Sequence, residues 1–108
     1  DAEPILSALP DLLFRIARDG TFRGFRAEDP SDLAAPPDRI VGATVRELLP
    51  PTVAERVMEN LEAVIAAGGD RHFVYTLPIR GEERWFEARM VRSAPDEALT
   101  IVRDVSAL

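Results

Sequence analysis

The 108-residue chain has no cysteine and no lysine, and its one histidine is His72. The missing thiols exclude disulfides, thiolate nucleophiles and cysteine-ligated zinc or iron–sulfur centres. A lone imidazole, with no acidic loop of calcium-binding spacing, leaves too few ligands for a metal site. His72 heads an alternating segment and reads as an exposed or edge imidazole without a special role. No window approaches the roughly 18 consecutive apolar residues of a membrane span. No signal-peptide pattern is visible, and the chain opens without an initiator methionine, as a piece of a longer protein would.

All 13 cations are arginines, scattered singly, and they face 19 carboxylates for a net charge of −6. Such a balance favours solubility and works against binding a phosphate backbone. Nucleic acid is therefore not an expected partner. What remains is a chain that is 46% hydrophobic, enough for one domain with a packed core. Its size leaves little room for a large catalytic cleft beside that core.

Alternation and punctuation give the elements. LLFRIAR (12–18) alternates, Asp19-Gly20 follows, and TFRGFRA (21–27) returns. This predicts a β-hairpin with a type I′ turn at Asp19-Gly20, and a bulge or close packing point at Gly24. Residues 28–39 hold three prolines and read as a connection with at most one helical turn. TVRE (44–47) carries a capping box, with a short helix stopped by Pro50-Pro51. TVAE (52–55) repeats the pattern before a long helix to residue 67, closed at Gly68-Gly69. If Thr52 caps that helix, Thr52→Ala costs about 1 kcal/mol.

Three strands follow. RHFVYTLPI (71–79) alternates and contains Pro78, which belongs at an edge, a bulge or a strand end. Gly81 to Glu83 reads as the next turn. RWFEARMVR (84–92) sets Trp85, Glu87, Arg89 and Val91 against Phe86, Ala88 and Met90. ALTIVRDV (98–105) is the last strand. Two strands, helices, then three strands predict an α+β domain whose antiparallel sheet carries helices on one face.

Candidate chemistry is sparse. Glu82-Glu83 read as solvated turn residues. Glu87 with Asp104 is the other carboxylate pairing, but nothing places the two across a substrate. Glu87 and Arg89 share a strand face and read as a structural ion pair. No nucleophile accompanies His72, so this domain is not expected to be an enzyme.

The order of these segments resembles the PAS domain, a bacterial sensory and signalling module, from about Leu9 to Ser106. LLFRIARDG (12–20) is similar to its opening strand and turn, and IVGATVRELLP (40–50) to the segment before its short helix. The helix at 52–67 is similar to the one flanking the family's pocket. GEERWFEARMVR (81–92) resembles its most recognisable strand, and VRDVS (102–106) its terminal strand and exit. The resemblance implies a five-stranded antiparallel sheet in the order 2-1-5-4-3, with helices packed on one face. It divides the chain into a lead-in or short helix at 1–11, a PAS-like domain at 12–106, and the start of a linker at 107–108.

The implied function is a sensory or regulatory module of a larger cytoplasmic signalling protein, such as a two-component system. It would relay a signal to an output domain in the same chain (kinase, cyclase or transcriptional regulator) through homodimer contacts and the C-terminal exit. The alternative is a metabolite sensor with an occupied pocket. Candidate pocket or core residues are Phe14, Ile16, Val57, Met58, Leu61, Tyr75, Leu77, Met90 and Ile101. Asp104 and Ser106 are the candidate signal exit. No cofactor is expected. Covalent flavin photochemistry in this family needs a cysteine, and the haem-binding members carry their histidine on or near the long helix.

Overall fold

The computed structural model describes residues 11–27, 33 and 35–106. The expected lead-in, apart from Asp11, and the linker at 107–108 lie outside the described residues. The first hairpin pairs Asp11–Ala17 (β1) with Phe22–Ala27 (β2). Its turn is not type I′, because Gly20 takes φ 93° while Asp19 does not have a positive φ. The Ala17 amide donates to the Thr21 carbonyl and the Gly20 amide to the Ala17 carbonyl, 2.8 Å each. These bonds define a three-residue loop ending in a left-handed glycine. The Asp19 carboxylate braces this loop by accepting the Thr21 amide at 2.9 Å, an Asx-type bond to the residue two on.

In β1–β2, Arg15 faces Gly24 but Ile16 faces Phe22, so Arg23 is the extra residue of a bulge. Gly24 is also a close packing point. A Cβ there would lie 3.2 Å from Arg15 Nη1.

The described part of the connection contains a 3-10 turn, Pro37–Arg39. A four-residue helix, Val45–Leu48 (α1), carries the expected capping box. The Thr44 hydroxyl accepts the Glu47 amide at 3.2 Å, and the Glu47 carboxylate accepts the Thr44 amide at 3.0 Å. The long helix, Pro51–Ala67 (α2), corrects the second capping expectation. Its N-cap is Pro50, with no side-chain cap bond, and Thr52 lies inside the first turn. Pro51 fits the first helical position with its fixed φ, so the helix starts before the capping pattern would have it. At the far end Gly68 takes φ 73° and its amide bonds to Val64.

The remaining strands are Asp70–Ile79 (β3), Glu82–Ala94 (β4) and Glu97–Asp104 (β5). The β3–β4 turn is Arg80-Gly81, both with positive φ at 52° and 78°. This is the type I′ geometry, found at a dipeptide that gave no sign of it, and Glu82 and Glu83 belong to the strand. All pairs are antiparallel, in the order β2-β1-β5-β4-β3. Pro78 is accommodated because β3 is an edge strand.

One inner row runs Leu12–Val102–Ala88–Phe73 across four strands, and all four are buried. Over this face lies α2, burying Val53, Val57, Leu61, Val64 and Ile65. Leu61 and Val64 are completely enclosed, and each such side chain contributes about 1.5–3 kcal/mol of burial. Met58 packs against the first hairpin, where a Cβ on Gly20 would meet its sulfur at 3.0 Å. The corresponding outer row is Leu13–Ile101–Arg89–His72.

Candidate functional site

The inner face does not fill itself. Between it and α2 is a cavity of about 60 Å³. The sheet contributes Leu12, Phe14, Ile16, Phe22, Phe73, Tyr75, Leu77, Phe86, Ala88, Thr100 and Val102, and Leu49 and Val57 close the helical side. Aromatic rings form much of the wall. Phe14 and Phe22 meet at 60° with centroids 5.5 Å apart, and Tyr75 stacks on its cross-strand neighbour Phe86 at 5.6 Å. Three lining residues, Phe14, Leu49 and Tyr75, are only half-buried and mark the side nearest solvent. Burial pushes the Tyr75 phenol well above its ordinary value near 10.

Besides the Tyr75 phenol, one polar group breaks this wall. Thr100 is 4% exposed and its hydroxyl has no hydrogen-bond partner among the described residues. A buried hydroxyl in that state costs about 1–3 kcal/mol. Thr100 sits at mid-strand, directly across the ladder from Phe14 and Met90.

The candidates read from sequence divide into three groups. Phe14, Ile16, Val57, Tyr75 and Leu77 line the cavity. Leu61 and Met90 are fully buried core beside it, and Met58 is the half-buried contact with Gly20. Ile101 is misplaced, being 36% exposed on the outer face. The inner face of β5 is Ala98, Thr100 and Val102, because the β4–β5 register aligns them with Arg92, Met90 and Ala88. Thr100 and Phe86 were not among those candidates. The pairing of Phe86-Ala88-Met90 with the inner face would have found both.

The Glu87–Arg89 pair is also corrected. Arg89 binds Asp70 on β3 at 3.0 Å, and Glu87 faces Arg103 across the ladder. Asp70 lies diagonally across the ladder from Arg89, within reach of a long guanidinium side chain, and Arg103 lies directly opposite Glu87 at about 5 Å. His72 is exposed on the outer face, 3.9 Å from Asp70 and away from the cavity. Among the described residues no group of three or more His, Cys, Asp or Glu could hold a metal ion. No helix in them is long and apolar enough to cross a membrane.

At the end of β5, the Asp104 carboxylate accepts Arg84 Nε at 2.8 Å and Nη2 at 2.7 Å. Its other oxygen accepts the Ser106 amide at 2.9 Å. Ser106 Oγ accepts the Trp85 amide, and the Val105 amide donates to the Trp85 carbonyl. The exit from the sheet is thus laced to the start of β4. Burial pulls the Asp104 carboxyl upward, but the bonds from Ser106 and Arg84 outweigh it and hold the group below the usual range.

A second network joins the outer face to the β4–β5 turn. Glu97 takes Arg15 at 3.3 Å, Arg23 at 3.4 Å and the Ser93 hydroxyl at 3.0 Å. Asp96 takes Arg23 at 2.9 Å. Both carboxyls lie below their usual values, Glu97 first through Arg15 and Asp96 first through Arg23.

Comparison with known proteins agrees with this architecture. No curated protein sequence matches the chain. Among solved structures, the PAS domain of the Cronobacter turicensis RpfR quorum-sensing receptor, in complex with BDSF, superposes with a TM-score of 0.74 at 16% identity, over 88% of this chain and 93% of that one. The same domain in complex with C12:0 gives 0.73 at 15% identity and the same coverage. The photoactive yellow protein domain of the sensor histidine kinase Ppr from Rhodospirillum centenum gives 0.66 at 19% identity, over 89% and 92%. A family model described as PAS fold matches residues 6–108. With the sheet order, the covering helix and this match together, the chain is a member of the PAS-fold family, a sensory domain.

Proposed function

We propose that this domain senses a small apolar molecule in the inner cavity and relays its presence through β5 to the exit at Asp104 and Ser106. The observation that carries the reading is the unpaired Thr100 hydroxyl in a cavity wall that is apolar apart from it and the Tyr75 phenol. A self-sufficient core gains nothing from that group, whereas a guest with a polar atom would satisfy it. Thr100 and Asp104 lie on one strand, so displacement at the cavity reaches the Arg84 pair directly. The related fold that binds BDSF or C12:0 in RpfR, and the one within a sensor histidine kinase, are consistent with such a role.

The reading carries the family's usual setting: a cytoplasmic bacterial signalling protein, a homodimer, an output domain in the same chain, and no flavin, haem or catalytic step in this domain. Trp85, at 52% exposure and diagonal to the exposed Val74, gives the outer face a small apolar spot on which a second copy could seat. A ligand-free relay is the second reading, favoured by the cavity's size. About 60 Å³ is well below the roughly 150 Å³ void that accepts benzene, so any guest must move side chains such as Leu49 or Phe14.

Native mass spectrometry of the purified domain, beside its absorption spectrum, tests the first reading. A noncovalent adduct lost on denaturation is expected. A clean apo mass, together with no response to added apolar probes, favours the ligand-free relay. Asp104→Ala in the parent protein should uncouple output while the domain stays folded, and unchanged regulation would remove the exit from the account.

A further inference from the structure

A second apolar cavity, of about 40 Å³, adjoins the first. It lies under Leu33, Ile40 and Leu48, and the two share Phe14, Phe22 and Leu49 as walls. Those three side chains are therefore a partition between two small voids. Phe14 and Leu49 are half-buried, so neither is locked in by packing on every side. Thr100 lies across the ladder from Phe14, beside the partition.

Among the described residues no positively charged side chain lines either cavity. The arginines on the inner face stand at the strand ends and are already engaged. Arg71 donates to the Asn60 side chain, Arg92 to the Ile65 carbonyl, and Arg84 to both Glu82 and Asp104. A carboxylate brought against Thr100 would lose its hydration and gain one hydroxyl, too little to hold an anion in an apolar void.

We infer that the guest is an uncharged aliphatic molecule with one hydrogen-bonding group. Its polar end meets Thr100 Oγ1, and its tail displaces the Phe14–Leu49 partition to occupy both cavities. This deepens the sensory reading and rests on it. It also separates this chain from a domain that would select fatty-acid anions, since the cavity discriminates by charge before chain length.

The test is an NMR titration of the ¹⁵N-labelled domain at pH 8 with 1-hexanol and, separately, hexanoate. 1-Hexanol should bind and shift amides at Thr100 and also at Ile40 and Leu48. Hexanoate should need at least about 100-fold more for the same shift. Thr100→Val should weaken 1-hexanol about fivefold without lowering the thermal midpoint of the free domain, because it removes a hydroxyl that has no partner. Ala35→Leu, which fills the second cavity, should abolish 1-hexanol binding and spare 1-propanol.

Hexanoate binding as tightly as 1-hexanol would overturn this inference and leave the sensory reading standing. So would a Thr100→Val domain with unchanged affinity. Failure of both alcohols to bind the unmodified domain would overturn both.

Discussion

Trp85 and Phe86 are adjacent in β4 and live in different surroundings. Phe86 is 2% exposed against Tyr75 and α2, while Trp85 is 52% exposed on a face crossed by arginines and carboxylates. The inner face is held by shape, with a single polar atom out of place. The outer face is held by charge, through Arg15, Arg23, Asp96 and Glu97 at one end and Arg89 with Asp70 at the other. Two neighbouring residues of similar chemistry therefore report two different kinds of stability.

The sharpest way to break that comparison is to truncate both. Phe86→Ala should cost about 3–5 kcal/mol and Trp85→Ala less than about 1 kcal/mol, read from urea unfolding midpoints. Equal losses would mean that the outer face is covered in solution. A smaller contrast concerns two glycines with the same φ of 93°. Gly20→Ala must strain the backbone and also push Met58, whereas Gly42→Ala meets nothing within 4 Å. Gly42→Ala should cost about 1 kcal/mol and Gly20→Ala about 2 or more, and adding Met58→Ala should narrow the gap.

Helix capping gives a finer test. Thr44→Ala should cost about 1 kcal/mol, because it removes a real capping box, and Thr52→Ala only a few tenths. The faces should differ most quietly in pH dependence, at the acid limb for one and the alkaline limb for the other. Glu97 and Asp96 are held below their unfolded values, so their contribution is complete above the ordinary carboxylate range and is lost as acid drives the pH through the folded values. Glu97→Gln should flatten that acid limb in denaturation midpoints. Tyr75 is shifted the other way. Its neutral form is retained on folding while the unfolded phenol ionises above about pH 10, so stability falls as the pH rises past that point. Tyr75→Phe should flatten the alkaline limb alone.

Strand and helix positions were legible because alternation, Gly68 and the capping box at Thr44 mark them, whereas the sheet order came from the resemblance to the PAS domain and not from the residues. The faces were not legible. In 84–92 both sides carry apolar residues, and only the pairing of β4 with β5 decides that Ala98-Thr100-Val102 goes inward and Ile101 outward. Thr100 was therefore not named as a lining residue, although its hydroxyl is the most informative group in the cavity. Turn geometry was hidden by competition between local effects. The Asp19 side chain bonds one way at a dipeptide typical of type I′, while Arg80 takes a positive φ that its residue type does not advertise. Thr52 was outcompeted by a proline one residue earlier.

The central strands β1 and β5 come from opposite ends of the described chain, paired from Asp11–Arg103 to Ala17–Glu97. On the ribosome the first hairpin is therefore made long before its neighbour exists, with one edge open until nearly the whole domain has been synthesised. Contacts of such sequence separation slow folding. They also close the sheet in the middle rather than at a margin, so the last strand to emerge completes the cavity wall and sets the exit in a single event.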